Sequence, residues 1–125
     1  MVLKLLQQKQ NMIPDSQVIE IITEQFPDIE LDCPKSRVYK AFECISVYAD
    51  RLLKKQAYEE FKQFINFVNQ LHFYGNNRIK TCIDNIFLYN LSNYIDLSSD
   101  PHATRQLLPT RMRTILQKQH GSSAI

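Results

Sequence analysis

Catalysis or ligand binding needs side chains that move protons, share electron pairs or hold charge at fixed spacing. His72 is the first candidate in this 125-residue chain. A zinc-type site on a helix wants a second ligand one turn away or a set of carboxylates close by. One turn to either side of His72 stand Val68 and Asn76. His102 and His120 are isolated, and no H-E-x-x-H pattern occurs. His72 also projects onto the apolar stripe of its helix. It is therefore expected to be a core or rim histidine bonded to a neighbour.

Cys33, Cys44 and Cys82 are widely spaced and form no C-x-x-C, so neither a zinc ribbon nor a redox pair is indicated. Cys33 falls near the start of an expected helix, where backbone N–H groups lower a thiol pKa. A nucleophile also needs a base and an oxyanion site, and nothing in sequence supplies them. Three thiols without a pairing pattern fit a reducing compartment, and the cytoplasm is the expectation. With two glycines in the whole chain, a phosphate-cradling loop of the G-x-x-x-x-G-K or G-x-G-x-x-G kind is excluded. No catalytic residue, no metal and no cofactor are therefore expected.

Charge is the remaining chemistry. Residues 1–34 carry two lysines against six acids, and residues 35–56 carry six bases against two acids. Residues 57–96 hold three bases and four acids, and residues 97–125 four bases and one acid. Asp28, Glu30 and Asp32 alternate in an acidic connection that suits a basic partner cleft. Arg37, Lys40, Arg51, Lys54 and Lys55 form the basic side of one helix, which suits an acidic partner or phosphates. Asp50 stands four residues before Lys54, the favourable order for an exposed pair. No aromatic platform is interleaved with these bases, so a nucleic-acid groove is not indicated. The net charge of +2 is likewise too small for one.

These residues must be positioned by helices. Apolar residues recur at helical spacing in four segments. The first is expected over about 16–26, capped by Asp15 or Ser16, with Val18, Ile19, Ile21, Ile22 and Phe26 inward and Pro27 ending it. The second runs about 34–55, on Val38, Ala41, Phe42, Ile45, Tyr48, Ala49, Leu52 and Leu53. The third runs about 57–74, on Tyr58, Phe61, Phe64, Ile65, Val68 and Leu71. Gly75 is read as a left-handed terminator, and Asn76 or Asn77 as the cap of the fourth, about 77–95. Its inward set is Ile79, Ile83, Ile86, Phe87, Leu91 and Tyr94. Asn90 projects into the middle of that set as a buried, bonded amide. Asn85, Tyr89 and Ser92 share an uncharged, tyrosine-bearing side. Asp100–Pro101 opens a short helix near 101–107. A last helix near 110–120 docks through Leu108, Met112, Ile115 and Leu116.

The fold class expected is all-α, an antiparallel bundle of about five helices. The single domain spans 15–120, between a loose extension at 1–14 and a frayed end at 121–125. At this length a domain buries roughly two thirds of the surface its unfolded chain exposes. No apolar run approaches a membrane span of about 18 residues, and "MVLKLLQQKQ" has no secretory h-region.

The stretch "YGNNRIKTCIDNIFLYNL", with Gly75, Asn76, Ile79, Ile83, Asn85, Phe87 and Leu91, resembles a family of small bacterial helical proteins of unassigned function. Members carry a glycine turn, a helix reading roughly N-A-I-E-N-x-F-x-E-x-L, and a C-terminal L-x-P-x-x-x-x-x-L helix. Leu108, Pro109 and Leu116 match that last element, and the likeness covers about 15–120. Where the family commonly has an acid, this chain has Tyr89. The resemblance implies association with polymorphic toxin loci, where such proteins serve as immunity proteins. The function expected is thus a non-catalytic protein that binds and occludes a toxin domain. Its candidate contacts are Asp28, Glu30 and Asp32, with Tyr39 and Tyr89 as anchors, and Arg37, Lys40 and Arg51 as the other surface. Two alternatives stand beside it: an enzyme or metal site near His72 and Cys82, and a nucleic-acid or regulatory module using the basic face.

Overall fold

The computed structural model describes residues 12–29 and 38–123, with side chains to residue 118. Glu30, Asp32, Cys33 and Arg37 lie outside the described residues. So does the expected start of the second helix. Among the described residues there are six helices and no strand. They are α1 (Asp15–Gln25), α2 (Val38–Lys54), α3 (Tyr58–Tyr74), α4, α5 (Pro101–Arg105) and α6 (Thr110–Ser123). α4 is one continuous element in three parts: Asn77–Cys82, a π-helical turn at Ile83–Phe87, and Leu88–Asp96. None of these helices is long and apolar enough to cross a membrane.

α1 starts without the side-chain cap expected of it. Pro14 occupies the N-cap position and makes no side-chain cap bond. Its carbonyl accepts from Gln17 N–H at 3.0 Å instead. Asp15 turns outward, where it accepts from the Asn76 amide at 3.1 Å and faces Arg78 at 3.5 Å. This ties the start of α1 to the start of α4. Ile13 belongs to the stretch read as a loose extension, yet it is fully buried. Its N–H donates to Tyr74 O at 2.8 Å and its carbonyl accepts from Asn76 N–H at 2.9 Å. An apolar side chain with two backbone bonds beside the α3–α4 turn is pinned rather than loose.

The α2–α3 connection is closed by backbone geometry. Gln56 has φ of +58°, the left-handed conformation that ends many helices. Ala57 N–H reaches Leu52 O at 2.9 Å and Gln56 N–H reaches Leu53 O at 3.0 Å. These two bonds make a Schellman motif with glutamine where glycine is usual. The turn after α3 reverses the expectation. Gly75 is extended, with φ −76° and ψ 160°, so handedness is not why glycine stands there. A Cβ at Gly75 would lie 2.5 Å from Ile79 Cγ2 and 2.5 Å from Leu71 O. The residue is small because the chain passes too close to itself. Asn76 then caps α4 as expected, its side chain accepting from Ile79 N–H at 3.0 Å.

Both connections fold their helices back, so α2/α3 and α3/α4 are antiparallel neighbours, as short loops require. α2 and α4 run in the same direction: Arg78 at the start of α4 lies over Tyr39 at the start of α2. α2 packs along all three parts of α4, and α6 against the last part. The core between them is aromatic at its centre. The Phe64 ring meets Phe26 at 5.0 Å, Tyr48 at 4.9 Å and Phe87 at 6.2 Å. Edge-to-face pairs of this kind add about 0.5–1.5 kcal/mol each beyond their buried area. Phe67 is buried as well, outside the stripe read from sequence, and packs on Phe26 at 5.0 Å. Tyr58, expected inward, is 43% exposed.

The π turn changes which residues of α4 face the core. A straight helix at 100° per residue puts Asn90 and Tyr94 in line with Ile79 and Ile83. One extra residue in a turn rotates everything after it back by about 100°. Leu88, Leu91 and Ile95 are therefore fully buried, while Asn90 and Tyr94 are half-buried. Ser92, placed on the outer side by the straight projection, is buried with them. Asn90 is thus not the buried tie expected.

α5 begins as its sequence dictates. The Asp100 side chain accepts from Ala103 N–H at 3.1 Å, with proline at N1. α6 docks through Leu108, Met112 and Leu116, all buried, with Ile115 half-buried. Its backbone is helical through Ser123.

Candidate functional site

Three features of this framework invite a functional reading. The first joins α3 to the π turn. His72 Nε2 lies 2.9 Å from Asp84 Oδ1. The two residues stand equally far along the chain from Arg78, so the α3–α4 hairpin brings them together. The carboxylate accepts, so Nε2 is the donor of this bond. Among the described residues, Nδ1 is sealed from solvent and meets no hydrogen-bond partner. The pair clamps α3 to the π turn, which is the bonded-histidine role expected of His72.

Cys82 sits one residue before the π turn and is fully buried. Burial pushes its thiol above the ordinary value, with Asp15 adding to the rise and Arg78 opposing it. A thiol held protonated is a poor nucleophile and a poor metal ligand. Among the described residues, no three His, Cys, Asp or Glu side chains gather where they could hold a metal ion. Cys44 is free and half-buried on α2.

The second feature is the set of surface residues proposed from sequence. Asp28 is exposed; it and Glu60 add to a rise in the Tyr48 phenol pKa that burial dominates. Lys40 and Arg51 are exposed along α2. Lys54 pairs with Asp50 at 2.9 Å, the i,i+4 contact read from the sequence. Tyr39 is half-exposed, and its ring already carries the Arg78 guanidinium at 5.1 Å. Tyr89 stands 59% exposed on α4. It does not stand alone. Thr81, Asn85, Tyr89, Asn93 and Leu97 recur every four residues, and all are exposed. The π turn keeps this row in line by offsetting the drift of a four-residue repeat on a 3.6-residue helix. None of the five is charged.

The third feature was not read from sequence. Where α2 ends, α3 begins and α4 gives way to α5, a groove of about 640 Å³ opens. Leu53, Tyr58, Tyr94, Leu97, Ala103 and Leu107 line its apolar part. Leu97 is 86% exposed at its edge. These residues come from three separate connections, so no local spacing announces the groove. The signal available was the pair Tyr58 and Leu97: large apolar residues next to loops.

No curated protein and no solved structure matches this chain. A family model described as "Domain of unknown function (DUF7674)" matches residues 19–122, the stretch that holds α2 to α5 whole, together with most of α1 and α6. The chain is therefore a member of the DUF7674 family.

Proposed function

We propose that this chain is a non-catalytic binding protein whose partner is another protein, and that it acts as an immunity protein by covering the site of a toxin domain. The observation that carries the binding reading is the exposed row of α4. Solvent-facing helix positions are normally charged, and the same chain puts Lys40, Glu43, Arg51 and Lys54 on the exposed side of α2. On α4 the corresponding side offers Thr81, Asn85, Tyr89 and Asn93 instead. Depletion of charge with tyrosine retained is the composition of a protein-contact surface rather than of a solvated one. Tyr89 is the natural anchor, since a few aromatic residues dominate most interfaces.

The toxin assignment rests on the resemblance of the 74–91 stretch to small proteins of polymorphic toxin loci. The non-catalytic reading is supported by the sealed Nδ1 of His72 and the protonated thiol of Cys82. Of the acidic surface favoured from sequence, Asp28 is exposed and remains a supporting contact that would speed association with a basic partner.

The test is co-expression with the product of the adjacent gene. Rescue of growth and a complex on size exclusion are expected. Tyr89→Ala should weaken that complex by at least tenfold, about 1.4 kcal/mol or more, with helical content unchanged. No rescue and no complex would refute the immunity reading. A complex indifferent to Tyr89→Ala and Asn85→Arg would move the interface off α4.

A further inference from the structure

We infer that the groove between the ends of α2 and α4 is a ligand site in its own right, and that it takes a neutral, largely apolar molecule with a flat aromatic part. This goes beyond the protein-binding reading and stands without it. The volume, about 640 Å³, is that of a site for a small organic ligand, and such sites are mostly apolar with a few polar groups. Leu53, Ala103 and Leu107 supply the apolar part, and Tyr58 and Tyr94 the aromatic part.

The class of ligand follows from what the polar groups are already doing. Lys54 is held by Asp50 at 2.9 Å, so the two charges cancel locally. The Asp100 carboxylate caps α5 by accepting from Ala103 N–H. The Ser98 hydroxyl donates to Ile95 O at 2.6 Å, and the Thr104 hydroxyl to Asp100 O at 2.9 Å. The charges of Asp50 and Lys54 are matched within the protein, and the Asp100 carboxylate is exposed to solvent with one oxygen committed to the α5 cap. An anionic ligand would lose hydration on entry and meet that carboxylate, and a cationic one would gain only a solvated counter-charge, worth little against its own desolvation. The polar groups left to select a ligand are the phenol hydroxyls of Tyr58 and Tyr94, Ser99 and the Gln56 amide, all uncharged. They can bond a carbonyl or hydroxyl on the edge of a neutral molecule.

Three dyes of similar size and different charge test this on the full chain: neutral Nile red, anionic anilinonaphthalene sulfonate and cationic thioflavin T. Nile red should bind saturably at one site, at least tenfold tighter than either charged dye. Ala103→Trp, which fills the groove from an exposed position, should weaken it at least tenfold. Leu97→Asp at the edge should weaken it at least threefold, and circular dichroism should show both variants still helical. Nile red binding that does not saturate, or that both variants leave unchanged, would overturn the site. A charged dye bound as tightly as Nile red, and lost in the same variants, would overturn the neutral class. Neither result bears on whether Tyr89 contacts a protein.

Discussion

Gly75→Ala separates two reasons for a glycine. If the residue served a left-handed backbone, alanine would be strained by its φ. Here φ is −76°, which alanine adopts freely, and the obstacle is space. The added methyl would stand 2.5 Å from Ile79 Cγ2, 2.8 Å from Ile79 Cβ and 2.5 Å from Leu71 O, where ordinary contact begins at 3.4 Å. Ile79 is fully buried and cannot swing into solvent. Leu71 O is backbone, and it already accepts Gly75 N–H at 2.8 Å. Relief must therefore come from moving the α3–α4 turn by about 1 Å in a close-packed interior. That shift also strains the two bonds of Ile13 to Tyr74 and Asn76. Overpacking costs about 1–3 kcal/mol, and the upper end applies because a backbone atom is involved. Alanine returns about 0.4–1 kcal/mol by stiffening the unfolded chain. The net expectation is a loss of about 2 kcal/mol, or a Tm lower by roughly 8 °C at this chain length. Urea unfolding followed by far-UV circular dichroism reads it as a lower midpoint at unchanged slope. In a double-mutant cycle with Ile79→Ala, part of the loss should be recovered as a coupling of at least about 0.5 kcal/mol. A neutral or stabilising Gly75→Ala would refute the crowding argument.

Three further outcomes follow from the packing. Phe64→Ala removes the ring at the centre of the aromatic cluster and should cost about 3–5 kcal/mol by denaturant titration; a cost under about 1 kcal/mol would show the cluster to be incidental. Gln56→Gly should stabilise by roughly 0.5–1 kcal/mol, because glycine relieves a left-handed Cβ in the Schellman turn, and a destabilised variant would contradict that geometry. Cys82 should resist iodoacetamide at about pH 8 in the folded protein and react only on unfolding, whereas Cys44 should react in the folded state. The raised pKa of Cys82 also has a direction in pH: the unfolded thiol ionises first, so the stability from burying it is intact below the ordinary value of 9.0 and falls as pH rises above it. Cys82→Val should flatten that alkaline loss.

The helices were legible because their punctuation is strong: Pro27, Asn76, and Asp100 before Pro101 mark boundaries, and the stripes of α2 and α3 name most of the core. The errors within α4 share one cause. Angular projection assumes a constant period, and α4 does not have one. Two residues carried the warning: Leu88 and Ile95 are large apolar side chains left off the projected stripe, while Asn90 sat in its middle. A single added residue between the two halves of the helix resolves all three. The His72–Asp84 contact escaped because partners were sought one turn away on the same helix. A hairpin pairs residues equidistant from its turn. Tyr89 and Asn85 were legible as surface because they share a face at short range. The groove was not, because it forms where three chain connections meet in space.

The π turn also sets how this protein can tolerate changes of length. Removing any one codon between 83 and 87 would leave the Asn76 cap and the Asp100–Pro101 start intact and give α4 an even 3.6-residue period. Every side chain after the deletion would keep its direction, because the residue lost and the turn-back lost with it cancel at about 100° each. Leu88, Leu91 and Ile95 would still face α2, and Tyr89 would stay on its own side of the helix. A deletion in α4 outside these five codons has no such compensation. It would turn the side chains beyond it by about 100° against those before it, exchanging interior for exterior. In-frame deletion scanning of α4 is thus expected to show a tolerant window at the π turn between two intolerant flanks.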